Sequence, residues 1–271
     1  MITAIDMIGT SLGSGTKTYN LNFCENLSKS SLRKKIYIFI TKDYFKNLSN
    51  IPNEKIKYIV KSNFLNNIFF RILWMQFFLP IELKILKVDQ LFSPMNMGPV
   101  LLKFFNIKFI LALHSNLPWV FFSKMPGNLF RNFLTKYLME VSVRCCDKLI
   151  VDSEFAKKEI INLLSLNKDK VFSVHLGVSQ KYLDDEENNF YIKDFEYKNY
   201  FISVLSCVRY HNIISLLKAF KLFKLENKSK LKFVFVLQIL DKNYFREINN
   251  FVEKNFKTNE IIFLNKLDSN Y

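Results

Sequence analysis

The segment from Asp147 to Val178 limits the possible folds of this chain more than any other stretch. It starts with Lys148–Val151, an apolar run of the length expected for a buried strand. Ser153 stands at a helix-capping position, and apolar residues then recur at helical spacing: Ala156, Ile160, Leu163 and Leu164. A second apolar strand follows, which predicts two parallel strands joined by a crossover helix. Ligands of such sheets bind at the carboxyl ends of the strands, where residues 152–155 and 175–178 lie.

Composition excludes several classes of protein. Of the 271 residues 49% are hydrophobic, and only six are Gly and six are Pro, so we expect folded domains rather than a disordered or fibrous chain. No apolar run reaches the roughly 18 residues of a membrane-spanning helix, and the chain does not start like a signal peptide. The four cysteines lack the spacing of a metal site: Cys24, Cys145, Cys146 and Cys207. We therefore expect no metal and a reducing, cytoplasmic location.

Basic residues are concentrated in one part of the chain. The formal net charge is +15, and residues 29–131 contribute +12 of it, with 16 Lys or Arg against four Asp or Glu. This asymmetry predicts an anionic partner, either an acidic lipid surface or nucleic acid. Trp74, Phe77 and Phe78, near Arg71, are expected either at a lipid interface or in the core. Lysine enrichment in an AT-rich genome would explain the charge without any partner.

The order of predicted elements repeats once along the chain. Strands and helices alternate up to the acidic run at 184–189, and the pattern restarts after it. We therefore predict an α/β fold with two Rossmann-like domains, at 1–183 and 199–271, joined by a linker at 184–198. A doubly wound domain usually has five or more strands. The second domain has three predicted strands: Phe201–Leu205, Leu231–Leu237 and Ile261–Leu264.

Six motifs cover nearly the whole chain in an order typical of one enzyme family. They are Ser11–Tyr19, Leu91–Asn96, Leu111–His114, Leu149–Lys157, Val174–Val178 and Leu205–Asn212. In these motifs the chain resembles the retaining glycosyltransferases of family four. Those enzymes have two facing Rossmann-like domains, the GT-B architecture, and the resemblance implies the same architecture here.

The resemblance implies roles for the glycine loop between the first strand and the first helix. Gly13 and Gly15 are expected to border the diphosphate of the donor, and Thr16 to lie on the acceptor side. Glycine lets the backbone approach a ligand, and a helix N-terminus favours negative charge. A tight turn without a ligand would also explain these glycines.

His114 ends a predicted buried strand. The resemblance implies that it is a catalytic residue beside the transferred sugar, where an imidazole can donate to a hydroxyl. Ser115 and Asn116 are expected on the acceptor side. The family usually has His-Asp at this point, and Ser115 replaces that acid. The alternative is a structural hydrogen-bonding histidine.

Arg209 and His211 follow the first strand of the second domain. Members of the family have two basic residues here that neutralise the donor's diphosphate as it leaves, which requires no metal. Arg209 matches one of these positions. His211 stands at the lysine position, so the second positive charge is weaker. A solvated loop arginine is the alternative.

One part of the family pattern is missing. The family's second domain continues with a glycine-rich turn and two glutamates that hold the sugar and ribose of the donor. No such segment occurs before Tyr271. We therefore expect the sequence to be a fragment that does not transfer sugar at a useful rate.

These features predict retaining transfer of a hexose from a nucleotide sugar to a lipid-linked or cell-surface polysaccharide acceptor, without a cofactor. The basic region predicts peripheral contact with the anionic inner face of the plasma membrane. A nucleic-acid-binding protein is one alternative, but no motif of that class occurs, so no nucleic-acid partner is expected. A non-catalytic protein that binds a sugar or a partner subunit is another.

Overall fold

The computed structural model describes residues 1–9, 15–29, 35–46, 55–125, 127–178, 200–227 and 230–265. Gly13 and the predicted linker at 184–198 lie outside these ranges. By its internal contacts the chain divides into two compact units. The first comprises Met1–Trp119 and Phe133–Leu183, and the second comprises Val120–Asn132 and Asp184–Tyr271.

The first unit contains a parallel sheet, which has seven strands within the described ranges, in the order β3-β2-β1-β4-β5-β6-β7. The strands are β1 (Thr3–Asp6), β2 (Ile36–Thr41), β3 (Ile56–Lys61), β4 (Gln90–Ser93), β5 (Lys108–Leu113), β6 (Lys148–Val151) and β7 (Val171–Ser173). The order changes direction at β1, with β2 and β3 on one side and the later strands on the other. Such a point at the carboxyl edge is where open parallel sheets bind ligands.

Helices connect these strands as the sequence predicts. They are α1 (Gly15–Lys29), α2 (Lys42–Phe45), α3 (Ile68–Leu73), α4 (Leu79–Ile85), α5 (Leu117–Val120), α6 (Leu129–Cys145) and α7 (Glu154–Leu164). The predicted cap of α7 is confirmed, because Ser153 Oγ accepts a hydrogen bond of 3.1 Å from the Ala156 backbone N–H. Of the predicted apolar face, Ile160 and Leu164 are buried, whereas Leu163 is exposed.

Both faces of the first sheet are apolar. Successive side chains of a strand point to opposite sides, and on β2 both sets are apolar. On β2, Ile36 and Ile38 pack in a cluster that includes Cys24 of α1. Tyr37 and Phe39 pack on the opposite face, in the larger cluster. Helices therefore cover both sides, and the edges of the sheet hold its polar residues.

The apolar pattern of Phe64–Leu86 predicts a helical segment with a break at Pro80, and this break is wrong. α3 passes into a π-helical turn at Trp74–Phe78 and then directly into α4, where Pro80 lies in the first turn. Pro80 lacks the N–H that would continue an α-helical ladder, and the π-helical turn, which departs from that ladder, lies directly before it.

The aromatic residues of this segment divide between core and surface. Trp74 is buried, and its indole N–H donates to Glu82 Oε1 at 3.1 Å. The other oxygen of Glu82 accepts from Lys61 Nζ at 2.5 Å. Phe77 and Phe78 are 57% and 59% exposed. Trp74 is therefore a core residue, and an interfacial position remains open only to the two phenylalanines.

The second unit contains a smaller parallel sheet in the order β10-β9-β8. Its described elements are β8 (Tyr200–Cys207), α8 (Ile213–Asn227), β9 (Lys232–Ile239), α9 (Lys242–Asn255) and β10 (Ile261–Asn265). Phe233 and Phe235 of β9 pack with Phe220 of α8 and with Tyr244 and Ile248 of α9. The predicted α/β class is confirmed in both units.

No helix in the described ranges is long and apolar enough to cross a membrane. The four cysteines are free, and three of them are buried.

Candidate functional site

The carboxyl edge of the first sheet gathers polar residues from four neighbouring strands. Asp6 and Ser93 end β1 and β4, and His114 and Asp152 directly follow β5 and β6. Since Leu113 pairs with Val151 in the parallel register, the two residues after them are brought side by side. The sequence predicted His114 as a site residue and placed Asp152 at the carboxyl end of its strand, but it did not predict the contact between them.

His114 and Asp152 form the central contact of this edge. His114 Nδ1 lies 3.1 Å and 3.2 Å from the two carboxylate oxygens of Asp152. An ionised carboxylate can only accept, so Nδ1 carries the hydrogen and donates it. In the neutral imidazole, Nε2 is therefore left with the lone pair.

Two further contacts hold His114, one to its ring and one to its backbone. The Tyr19 ring of α1 meets it edge to face, with centroids 4.5 Å apart. Burial raises the pKa of Tyr19, and the nearby Asp152 charge adds to that effect. The backbone N–H of His114 donates to Asn96 Oδ1 at 2.7 Å, and Asn96 has a left-handed conformation with φ 63°. The imidazole is thus fixed in position before any ligand binds.

His114 Nε2 is buried and has no hydrogen-bond partner in the part of the chain that the structure describes. Buried polar atoms nearly always have one, so an exception needs a structural or functional explanation. A hydroxyl of a bound ligand would supply the missing partner.

A cavity of about 670 Å³ opens beside this contact, within the first unit. Its lining includes Gly15 and Tyr19 of α1, Asp152 after β6, and His175 and Gly177 after β7. This volume lies in the range of small-molecule sites, roughly 300–1,000 Å³. The prediction that residues 152–155 and 175–178 lie near a ligand site is consistent with this lining.

Of the predicted glycines, Gly13 lies outside the described residues. Gly15 begins α1, and a Cβ built on it would meet no atom within 4 Å. Its lack of a side chain is therefore not required by packing. Because Gly15 lines the cavity, close approach of a ligand to its backbone stays a prediction.

The three residues predicted on the acceptor side lie in the same unit. Thr16 is half-buried in the first turn of α1. Ser115 Oγ accepts from the Leu117 N–H at 3.2 Å, at the start of α5. The Asn116 amide donates to Glu159 of α7. Ser115 and Asn116 thus have local structural roles, and their contact with an acceptor stays a prediction.

Sequence reasoning also missed a contact between α3 and the end of β1. Gly9 has φ +92°, and the Arg71 guanidinium lies directly against it. Asp6 is buried, accepts from the Ile8 N–H at 3.0 Å, and interacts electrostatically with Arg71. Burial raises the pKa of Asp6 to about 7, although the hydrogen bond and Arg71 lower it. The glycine at position 9 is the one local sign of this contact in the sequence, since glycine permits a positive φ. The arginine is distant along the chain, so no local pattern connects it with Gly9.

The two predicted donor-binding residues of the second unit are occupied by internal partners. Arg209 forms a two-pronged ion pair with Glu247, with Nη1 donating to Oε2 at 3.0 Å, and its Nε lies 3.7 Å from Asp241. Its guanidinium also stacks on the Tyr244 ring at 5.2 Å. His211 Nδ1 donates to the Ser206 carbonyl at 2.6 Å. An incoming diphosphate would compete with Glu247 for Arg209.

Among the described residues, no group of three His, Cys, Asp or Glu side chains is arranged to hold a metal ion. The polar residues of the first unit can donate to or accept from hydroxyl groups. Those of the second unit add an arginine that is accessible to an anion. Whether the protein uses a cofactor stays a matter of prediction.

No protein-family model matches the sequence, and no curated protein matches it significantly. Solved structures do match. The structure of HepE from Anabaena with UDP and glucose has a TM-score of 0.63 at 13% identity, covering 98% of this chain and 69% of that one. The lipopolysaccharide outer core galactosyltransferase WaaB has 0.57 at 13%, covering 99% and 69%. The UDP-GlcNAc 2-epimerase of Methanocaldococcus jannaschii has 0.51 at 16%, covering 98% and 74%.

These similarities establish the fold. The chain has the GT-B type of α/β fold, as predicted. The fold also occurs in an epimerase, so the reaction must be argued from the site itself.

Proposed function

We propose that this protein transfers a hexose from a nucleotide sugar to a lipid-linked or cell-surface polysaccharide acceptor, with retention of the anomeric configuration. The observation that carries the proposal is the buried, unpartnered Nε2 of His114 at the carboxyl edge, together with a cavity of about 670 Å³ that is lined by Asp152 and Tyr19, the two side chains in contact with the imidazole. Similar structures contain UDP and glucose or belong to a lipopolysaccharide galactosyltransferase, which supports both the donor class and the acceptor class.

The residues of the first unit would hold the sugar and acceptor. Asp152 orients the imidazole, and Nε2 accepts from, or when protonated donates to, a hydroxyl of the transferred hexose. The open backbone at Gly15 permits close approach of a polar ligand. Preorganised groups of this kind stabilise charge as it develops in the transition state.

The second unit would hold the nucleotide part of the donor. Arg209 is 44% exposed at its side chain and offers a planar fork suited to a diphosphate. His211 has Nδ1 engaged by the backbone, which leaves Nε2 to face solvent or a ligand. Departure of the diphosphate would be aided by this positive charge, with no metal required.

A direct test measures binding and turnover on one preparation of the 271-residue protein. Calorimetric titration with UDP, ADP, GDP and dTDP sugars should show binding of at least one donor. His114→Ala should weaken binding of the nucleotide sugar more than binding of the free nucleotide, because the proposed partner of His114 is the sugar. Circular dichroism of the variant controls for folding. A folded protein that binds none of these donors would overturn the proposal.

Turnover separates this proposal from the other candidates. Transfer of labelled sugar to lipid extract identifies a transferase, whereas conversion of UDP-GlcNAc without an acceptor would identify an epimerase. Donor binding without turnover would favour the alternative of a non-catalytic sugar-binding protein. Salt-sensitive binding to RNA or DNA that exceeds binding to anionic vesicles would favour the nucleic-acid alternative.

We also propose peripheral contact with an anionic, cytoplasmic membrane surface. The helical segment at 63–85 exposes large apolar side chains: Phe64, Phe69, Phe77, Phe78, Ile81 and Ile85. The excess of basic residues between 29 and 131 supplies the attraction. Vesicle binding should require anionic lipid and weaken with salt, because the screening length falls to about 8 Å at physiological ionic strength. Equal binding to neutral vesicles would contradict the electrostatic part.

A further inference from the structure

Arg71 reaches the end of β1 only because residue 9 is a glycine. A Cβ built on Gly9 would lie 1.7 Å from Arg71 Nη1 and 2.6 Å from its Cζ. The φ of +92° at Gly9 is a further reason that only glycine fits without strain. The guanidinium therefore rests on bare backbone at the point where the sheet changes strand order.

Among the residues that the structure describes, none offers an acceptor to the guanidinium at contact distance. Within the described ranges, Arg71 makes no side-chain hydrogen bond and no ion pair within 4 Å. Its one charged neighbour is Asp6, whose Oδ1 already accepts from the Ile8 N–H. Burial lowers the pKa of Arg71, and Asp6 acts in the opposite direction. Arg71 is half-buried, and none of its nitrogen atoms is among the buried polar atoms that lack a partner. The guanidinium therefore keeps contact with solvent and can exchange that water for a ligand.

The location indicates what that interaction is. Arg71 lies at the same carboxyl edge as His114 and Asp152, and the chain runs from Gly9 towards the start of α1. A guanidinium presents five donors in a planar fork, which matches the oxygens of a phosphoryl group. Arg209 has this chemistry too, but Glu247 already occupies it.

We propose that Arg71, held across Gly9, binds a phosphoryl group of a substrate. This proposal adds a binding residue to the proposed function. It rests on that function only for the identity of the molecule that carries the phosphoryl group. The group belongs either to the nucleotide sugar or to a phosphate on a lipid-linked acceptor. Both present the same oxyanion to the guanidinium.

Sulfate is the first probe because it has the shape of a phosphoryl group and keeps its charge between pH 5 and pH 9. Calorimetry on the whole protein should show sulfate binding that weakens at least tenfold in Arg71→Gln. The matched control is Lys103→Gln, which removes the same charge from an exposed residue and should stay within about twofold of wild type. Sulfate affinity unchanged in Arg71→Gln, or equally weakened in Lys103→Gln, would overturn the proposal.

A second variant covers the case in which Arg71→Gln does not fold. Arg71→Lys keeps the charge but lacks the planar fork, and it should fold and bind sulfate more weakly than wild type. If Arg71 served only to balance Asp6, this variant would bind sulfate as wild type does.

Two further arms identify the source of the phosphoryl group. UDP-glucose reports the donor, and phosphatidylcholine vesicles with or without polyprenyl phosphate report a lipid acceptor. Weaker binding of either probe by Arg71→Gln supports the proposal and names the source, whereas a protein that binds both probes equally well with and without Arg71 overturns it. If the protein binds sulfate through Arg71 but binds no nucleotide sugar, the phosphoryl site is supported and the proposed function is contradicted.

Discussion

The two sheets differ in how far the protein itself satisfies the polar groups at their carboxyl edges. In the first unit, His114 Nε2 and the Arg71 guanidinium have no hydrogen-bond partner among the described residues. In the second unit, Arg209 is paired with Glu247, and His211 donates to a backbone carbonyl. A ligand at the first edge would therefore meet preorganised groups that are free to pair with it, whereas a ligand at the second would have to displace a carboxylate. Preorganisation lowers the free-energy cost of binding, so the first edge should contribute more of the binding free energy than the second.

The largest effect is expected from His114. In a preparation that transfers sugar, His114→Ala should lower turnover by about 10²–10³, the usual cost of losing one preorganised group that stabilises the transition state. Arg209→Ala should act on the leaving diphosphate and cost no more than that, because Glu247 competes for it. Rates from single-turnover assays, with thermal melting as the folding control, test this order. Wild-type turnover in His114→Ala would make the first edge a structural feature only.

The next effect concerns the buried acid of the first edge. The pKa of Asp6 is raised from 3.8 to about 7 by burial. The protonated form is thus favoured in the folded state, and its stabilisation is complete below pH 3.8 and lost as the pH rises through about 7. From about pH 5 to pH 8 we expect a loss of about 2–3 kcal/mol in the free energy of unfolding, at roughly 1.4 kcal/mol per pKa unit.

Asp6→Asn should remove this dependence, since its side chain cannot titrate. Urea unfolding of both proteins at several pH values gives the difference, which cancels contributions from all other groups. Parallel curves for the two proteins would show that Asp6 is ionised in the folded state, in conflict with its burial.

A smaller effect is expected from Asp152, whose contact with His114 orients the imidazole. Asp152→Ala removes a hydrogen bond to a charged acceptor, worth about 1.5–3 kcal/mol, so turnover should fall about tenfold or more. The NMR signals of the imidazole should also show a changed tautomer, which a purely structural role would not cause. An unchanged tautomer would indicate that Asn96 and Tyr19 suffice to orient the ring.

The smallest effect tests the second edge. Glu247→Gln releases Arg209 from an exposed ion pair, which is worth about 0.2–1 kcal/mol. Affinity for UDP should therefore rise by about 1.4- to 5-fold, measured by calorimetry. Weaker UDP binding in this variant would mean that Glu247 positions Arg209 for the ligand instead of competing with it.

Local patterns in the sequence predicted the elements well because strands and helices depend on nearby residues. β6 and the three strands of the second unit fall at or within two residues of the apolar runs that predict them, and the cap at Ser153 is where the sequence places it. Helical spacing failed where the chain departs from 3.6 residues per turn, as in the π-helical turn before Pro80. One extra residue there shifts the phase of the helix, so Trp74 is buried and Phe77 is exposed.

The site was harder to predict because it depends on contacts between distant residues. His114 was found from a motif at the end of a strand. Asp152 was within reach of the same reasoning, because both residues follow neighbouring parallel strands. The contact of Arg71 with Gly9 and the pairing of Arg209 with Glu247 could not be predicted in this way, since Arg71 and Glu247 come from helices that are distant along the chain from their partners. No spacing rule connects such positions.

The contact between Gly9 and Arg71 also constrains how this sequence can drift over generations. A side chain at position 9 would collide with the arginine, and a shorter residue at position 71 would make the glycine unnecessary for that contact. The two positions should thus be inherited as a pair. Homologous genes that lose the arginine are the ones in which we expect position 9 to vary, within the limit set by its positive φ.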